Sequence, residues 1–310
     1  MKEIIFPKSL KKGDKIAIIS PAGFVEEAPL QSTLNLIKSK GYEPVFGKHT
    51  LGKFTNGYNY SGTEKERIQD LNWALNNDEI SAIWASRGGY GCQHLLRHLK
   101  LSKFREKPKW YIGYSDNTVI NSYLLKNGFA SIHGQTIKTA SFGVSEEGYE
   151  NIFKILEGKN LKYSLEKHHF NKKGTAEGEL IGGNLALIYA LLGTNYSYQF
   201  KDKILFIEDI GENFYALDRM LMSLDLAGVF RKIKGLIICG MTNMGDEKEN
   251  KNYEKPFDEF AYEIIAQRLK KYNFPTLFGF PNGHIFDNRP LIIGGKVKIE
   301  VGENVLLKFK

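Results

Sequence analysis

At 310 residues the chain is long for one compact core, so two domains are the natural expectation. Apolar residues make up 42% and charged residues 25%, proportions that exclude a disordered chain and suit a globular enzyme. The 43 Lys+Arg against 35 Asp+Glu give a formal +8, which fits an anionic small substrate; the basic residues alternate with acids, as in Glu64-Lys65-Glu66-Arg67, and this argues against nucleic acid as a partner.

The opening MKEIIFPKSLKKGDKIAIISPAG lacks the apolar core of a signal peptide, and its run Ile16 to Ile19 is far too short to span a bilayer. A cytoplasmic location and no membrane partner are therefore expected. KIAIIS (15 to 20) reads as a buried strand, and 26 to 40 as a helix stopped by Gly41. YEPVFG is a weaker strand, and Thr63-x-x-Glu66 is a capping box that opens a helix through Leu75. ISAIWAS (80 to 86) is a strand; the glycine turn SRGGYG (86 to 91) and a helix over 93 to 99 follow it. WYIGYS (110 to 115) is the next strand, and behind it Val119, Ile120, Tyr123 and Leu124 share one face of a helix ending at Asn127-Gly128. FASIHGQ (129 to 135) is a fifth strand, and a helix over 146 to 156 closes the unit. This rhythm predicts a parallel sheet with crossover helices, whose ligand edge would gather Ser20, Arg87, Ser115 and His133.

From 157 to 177 the sequence turns polar and Lys-rich. The expected boundaries are a first domain over 1 to 158, a linker over 159 to 177 and a second domain over 178 to 310. In the second domain, helices are expected over 184 to 192, 214 to 226 and 256 to 272, and strands at ILFIED (204 to 209) and GLIICG (235 to 240). The tail alternates like a β-hairpin around Gly302-Glu303-Asn304. The second domain is thus mixed α+β, β-rich, with weaker βαβ regularity than the first.

Ser115 stands where a strand gives way to a helix, so the following amides and the helix dipole favour negative charge beside it. That suits a nucleophile, although G-x-S-x-G fails because the residue two beyond the serine is Asn117. Judged by itself, helix capping by Ser115 or Asp116 is the simpler reading. Among the histidines, His94 and His98 share one helix at i, i+4 without the partners of a metal motif, and His133 ends a strand near Ser115. His168 and His169 lie in the linker, His49 lies in a turn, and His284 is presented by the Gly/Pro-flanked loop FPNGHIFDNRP. Glu208, Asp209 and Glu212 cluster where an apolar strand ends. Ser, Glu and His in that chain order can make a triad by geometry. Consecutive glycines in SRGGYG allow a backbone amide to approach a ligand closely. Cys92 and Cys239 lack C-x-x-C spacing, so neither a disulfide framework nor structural zinc is expected.

Taken together, GDKIAIISPAG, SRGGYG, IGYSDNT, HGQ, GELIGGNLALI, LFIEDIGENFYALDRML and GHIFDNRPLIIG resemble the LD-carboxypeptidase family of serine peptidases, which includes the microcin C immunity peptidases. The resemblance implies a flavodoxin-like parallel sheet followed by a β-rich mixed domain. It implies Ser115 as nucleophile, Glu208 as orienting acid, His284 as general base, and the amides of Gly89 and Asp116 as oxyanion hole. No metal or organic cofactor is implied. The implied reaction releases D-alanine from murein tetrapeptide in cell-wall recycling, so the expected partner is a small peptide with a C-terminal D-residue, with self-association into a homodimer left open. HGQ replaces the family's more usual HGP, and Glu212 stays a rival to Glu208. Arg87 and Glu212 are the remaining substrate-binding candidates, Arg87 either anchoring a carboxylate or propping the glycine turn.

Two other readings compete. One is a microcin-type immunity peptidase acting on peptidyl or aminoacyl nucleotide conjugates, with a platform on the loop 243 to 256. The other is a non-catalytic flavodoxin-like binding protein in which Ser115 only caps.

Overall fold

The run Lys15–Ile19 (β1) is buried over its last four residues, as a strand covered on both faces must be. In the computed structural model, which describes residues 3 to 245 and 255 to 310, it opens the first of two units, Met1–Lys159 and Asn160–Lys310. After it come α1 (Gln31–Ser39), β2 (Glu43–Phe46), a small hairpin of β3 (Phe54–Thr55) and β4 (Asn59–Tyr60), α2 (Glu64–Asn76) and β5 (Ile80–Ala85). Then follow α3 (Ser102–Glu106), β6 (Trp110–Ile112), α4 (Thr118–Lys126), β7 (Ser131–His133) and α5 (Glu146–Leu156).

Strands β7-β6-β5-β1-β2 lie side by side in that order and pair in parallel. The chain moves to one side of β1 for β2 and to the other for β5, so the loops after β1 and β5 flank the switch point where such sheets open a ligand crevice. They touch there: the Gly23 amide donates to the Gly88 carbonyl at 3.2 Å.

The capping box of α2 is formed, with Thr63 N–H donating to Glu66 at 2.8 Å and Glu66 N–H to Thr63 Oγ1 at 3.3 Å. Elsewhere local chemistry shifts the expected boundaries. Pro29 sits in a separate 3-10 turn, Ala28–Leu30, which leaves α1 shorter than the 26 to 40 expected. The helix expected over 93 to 99 is a 3-10 run, Cys92–His98. Three residues per turn put positions 94 and 97, not 94 and 98, on one face, so the His94/His98 pairing dissolves. His94 packs against Tyr90 with ring centroids 5.3 Å apart, and His98 lies 3.9 Å from Glu64.

In the second unit the order along the chain is β8 (Lys162–Leu165), β9 (Gly174–Asn184), α6 (Leu185–Leu191), β10 (Ile204–Ile210), α7 (Phe214–Leu226), α8 (Val229–Lys232) and β11 (Gly235–Thr242). It continues with α9 (Glu259–Leu269), β12 (Thr276–Phe278), β13 (Leu291–Ile293), β14 (Lys296–Val301) and β15 (Val305–Phe309). The sheet runs β12-β11-β10-β9-β14-β15-β8. Its β9 to β12 part is parallel, fully buried along β11, with helices as crossovers; its β9-β14-β15-β8 part is antiparallel.

The long β9 joins the two parts, pairing with β14 through residues 174 to 179 and with β10 through 180 to 184. The polar stretch 159 to 177 therefore holds β8 and the first residues of β9. Its charges are the exposed side of an antiparallel ribbon, where Glu177 pairs with Lys296 at 3.2 Å and with Lys310. Among the described residues no helix is long and apolar enough to cross a membrane.

Candidate active site

After β6, Gly113 and Tyr114 lead into a 3-10 turn, Ser115–Asn117, and then α4. Ser115 has φ +62°, a left-handed conformation that costs a non-glycine residue about 1–3 kcal/mol. Capping does not repay that cost, because neither the turn nor α4 has a side-chain cap bond. The strain instead presents a half-buried hydroxyl at the carboxyl edge of the sheet.

The glycine turn after β5 passes directly over it. A Cβ at Gly88 would lie 2.9 Å from Ser115 Cβ and 3.0 Å from its Oγ, so only glycine admits this approach. Gly89 has φ +113°, and a Cβ there would collide with the Tyr58 hydroxyl. Among the described residues no turn or loop bond uses the Gly89 amide, and the Asp116 amide lies at the start of a 3-10 turn, where amides have no partner inside the turn.

The two side chains after Ser115 hold the glycine turn at both ends. Asp116 is buried and its Oδ2 accepts the Cys92 N–H at 2.8 Å; Asn117 donates to the Arg87 carbonyl at 3.4 Å and to the Tyr114 carbonyl at 3.0 Å. Tyr111 donates to Asn117 Oδ1 at 2.5 Å. Burial raises the Asp116 pKa, against the opposing pull of the Cys92 bonds and Arg67. Burial, then the Asp116 charge, pushes the Cys92 thiol well up, so it is inert packing and not a thiolate. An Asn at 117 is what replaces the glycine of G-x-S-x-G. It packs on Gly113, where a Cβ would come within 2.8 Å of it.

Of the other edge residues, Ser20 is spent within the fold, bonded to the Thr50 carbonyl at 2.6 Å and to Ser86 at 2.5 Å. His133 is buried edge-on to Tyr114. Arg87 is half-buried and donates to the Phe24 carbonyl at 2.6 Å.

In the second unit, Glu208 lies fully buried near the end of β10, and its Oε2 accepts His284 Nδ1–H at 2.8 Å. The β10–β11 register shifts between Ile207 and Asp209, a bulge of the kind that re-aims a side chain. The His284 loop is braced: Thr242 donates to the His284 carbonyl at 2.8 Å, and Asn288 accepts the Gly283 N–H at 3.1 Å. Gly283 has φ +108°, and a Cβ there would meet Glu208 Oε2 at 2.7 Å, so the loop lies on the carboxylate only with glycine at this point.

Asp209 faces away from Glu208. It accepts Asn184 Nδ2–H at 2.8 Å, Ala186 N–H at 3.0 Å and Ile210 N–H at 2.9 Å, and so ties β10 to the start of α6. Glu212 is half-buried beyond the strand, where its carbonyl accepts the Gly245 N–H at 2.9 Å; among the described residues no hydrogen bond joins its side chain to His284. His168 and His169 stack at 4.6 Å, and His169 pairs with Glu259 at 2.6 Å.

Burial and then the Glu208 charge raise the Asp209 pKa from 3.8 to about 7. The proton therefore binds more tightly in the folded state. The stability this contributes is full below about pH 4 and lost as pH rises through about 7. Asp209→Asn removes that titration. The unfolding free energy of the wild type minus that of the variant should fall between about pH 4.5 and 7.5 in urea titrations, and a constant or rising difference would refute the assignment.

Sequence reasoning selected Ser115, Glu208 and His284 but missed the bracing groups Asn117, Thr242 and Asn288, and also Tyr58 and Lys138 beside the glycine turn.

A family model described as the LD-carboxypeptidase N-terminal domain matches residues 16 to 134, and one described as the LD-carboxypeptidase C-terminal domain matches 177 to 299. A probable murein peptide carboxypeptidase of Bacillus subtilis is 31% identical over 306 residues, covering 96% of this chain and 92% of its own. The microcin C7 self-immunity protein MccF of Escherichia coli is 29% identical over 327 residues, covering 94% and 92%. The crystal structure of muramoyltetrapeptide carboxypeptidase from Oxalobacter formigenes matches with a TM-score of 0.81 and 27% identity over 95% of this chain and 98% of that one.

Proposed function

The chain belongs to the LD-carboxypeptidase family of peptidases, and from that premise we propose a serine mechanism that hydrolyses the amide before a C-terminal D-residue, with murein tetrapeptide as substrate. The observation that carries the reading is the buried Glu208–His284 bond at 2.8 Å. A carboxylate holding Nδ1–H fixes the tautomer whose Nε2 takes a proton, and it stabilises the imidazolium that results.

In this reading His284 Nε2 accepts the Ser115 Oγ proton as Oγ adds to the scissile carbonyl. The amides of Gly89 and Asp116 hold the oxyanion. The C–N bond then breaks, His284 returns the proton to the leaving amine, and an ester on Ser115 remains. Water adds to that ester, gives its proton to His284, and Ser115 leaves as the hydroxyl. The sum is amide plus water to acid plus amine, carried by the chain's own groups.

The substrate class that competes is a peptidyl or aminoacyl nucleotide conjugate, supported by the likeness to the microcin C7 self-immunity protein. Residues 246 to 254 of the loop that would supply its platform lie outside the described residues. A homodimer and a cytoplasmic location, where recycled murein peptide is met, belong to the same proposal. The purified protein, offered murein tetrapeptide and a peptidyl nucleotide in parallel, is expected to release free D-alanine from the first and leave the second intact, read by mass. Cleavage of the nucleotide conjugate alone would transfer the reading to the second class.

A further inference from the structure

Two half-buried cations stand beside the glycine turn, and among the described residues neither forms an ion pair with a carboxylate. Arg87 is joined to Gly88, the residue packed on Ser115, and one guanidinium nitrogen is spent on the Phe24 carbonyl at 2.6 Å. Lys138 is brought alongside by its own amide, which donates to the Ser86 carbonyl at 2.8 Å. Its ammonium lies 5.5 Å from the centre of the Phe142 ring.

The Tyr58 hydroxyl converges on the same place. A Cβ at Gly23 would lie 2.9 Å from Tyr58 Oη and 3.2 Å from Arg87 Nε, and the Gly23 amide is bonded to Gly88. Burial, then repulsion from Arg87, lowers the Lys138 pKa, while Glu26 opposes more weakly. Ordinary surface lysines and arginines are solvated or paired with acids. Here two like charges are held close and partly buried, Arg87 within the turn that abuts the serine and Lys138 tied by its amide to Ser86 at the start of that turn.

We propose that Arg87, Lys138 and the Tyr58 hydroxyl form a receptor for the α-carboxylate of the substrate's C-terminal residue. This rests on the carboxypeptidase reading and adds the group that makes it a carboxypeptidase. Cleaving only the last residue requires that the free carboxylate be gripped within one residue's length, about 3.8 Å along the chain, of the scissile bond. Arg87 directly precedes Gly88, the residue packed on Ser115, so its backbone lies beside the serine. Its planar fork suits a carboxylate in two-point contact, Lys138 adds a point charge, and Tyr58 adds an O–H donor.

Binding of murein tetrapeptide and of its C-terminal amide, measured by calorimetry on the non-hydrolysing Ser115→Ala protein, tests the receptor. The acid is expected to bind about 10²-fold tighter than the amide. Arg87→Gln, Lys138→Gln and Tyr58→Phe, each added to Ser115→Ala, should shrink that ratio towards one while leaving amide binding unchanged. Tyr58→Phe removes a single oxygen and keeps the ring packing, so it serves where a charge substitution unfolds the protein. The receptor is overturned if acid and amide bind alike, if neither binds, or if the ratio survives all three substitutions. Hydrolysis of tetrapeptide by the wild type, tested separately, decides the carboxypeptidase reading whatever the anchor does.

Discussion

Ser115→Ala is expected to lower kcat/KM on murein tetrapeptide by about 10⁴-fold or more while the protein stays folded. The loss is that large because no other group can form the ester once Oγ is gone. The fold should survive because the hydroxyl caps neither the 3-10 turn nor α4. Alanine keeps a Cβ at φ +62°, so it keeps the backbone strain and loses only the nucleophile. Far-UV circular dichroism and a melting curve alongside the rates would separate loss of chemistry from loss of fold. Retained hydrolysis by a folded Ser115→Ala protein would remove Ser115 from the mechanism.

Glu208→Gln should cost about 10⁴-fold in kcat with little change in KM. Glutamine has nearly the same shape, but its amide can offer an N–H to His284 Nδ1 in place of an oxygen. The ring then carries its proton on Nε2, where a base is required, and the imidazolium loses its counter-charge. The same substitution at Glu212, half-buried beyond the strand, should change kcat less than about 10-fold, since among the described residues it has no hydrogen bond to the imidazole. If Glu212→Gln were the more damaging of the two, the orienting acid would have to be reassigned.

Sequence patterns exposed much of this, for identifiable reasons. Buried strands such as KIAIIS and ISAIWAS announce themselves by unbroken apolar runs, and the α2 capping box is a local chemical rule that the structure obeys. Rules also misled where two structures share one composition. The Lys- and Glu-rich stretch before β9 resembles a linker because an antiparallel ribbon with one wet side alternates in the same residues. Cys92–His98 resembles an α-helix because the 3-10 turn and the α-helix bury similar apolar positions over so short a run.

In the site, Glu208 and Asp209 illustrate what adjacency cannot tell. A strand sends neighbours to opposite faces, so one acid of the pair must turn from the histidine, but which one depends on the bulge at that point and on Asn184 waiting on the other side. Tyr58, Arg87 and Lys138 are further from sequence reach. Their spacings of 29 and 51 residues obey no periodicity, and only the parallel sheet's crossovers bring the three loops to one edge.

Everything in the proposed reaction turns on an ester formed on Ser115. Murein tetrapeptide mixed with the wild-type protein, quenched in acid within milliseconds to seconds and digested, gives a direct reading by peptide mass. A tripeptide acyl adduct is expected, confined to the fragment that contains Ser115 and absent from Ser115→Ala. An adduct on any other residue, or D-alanine release that persists in Ser115→Ala, would contradict it.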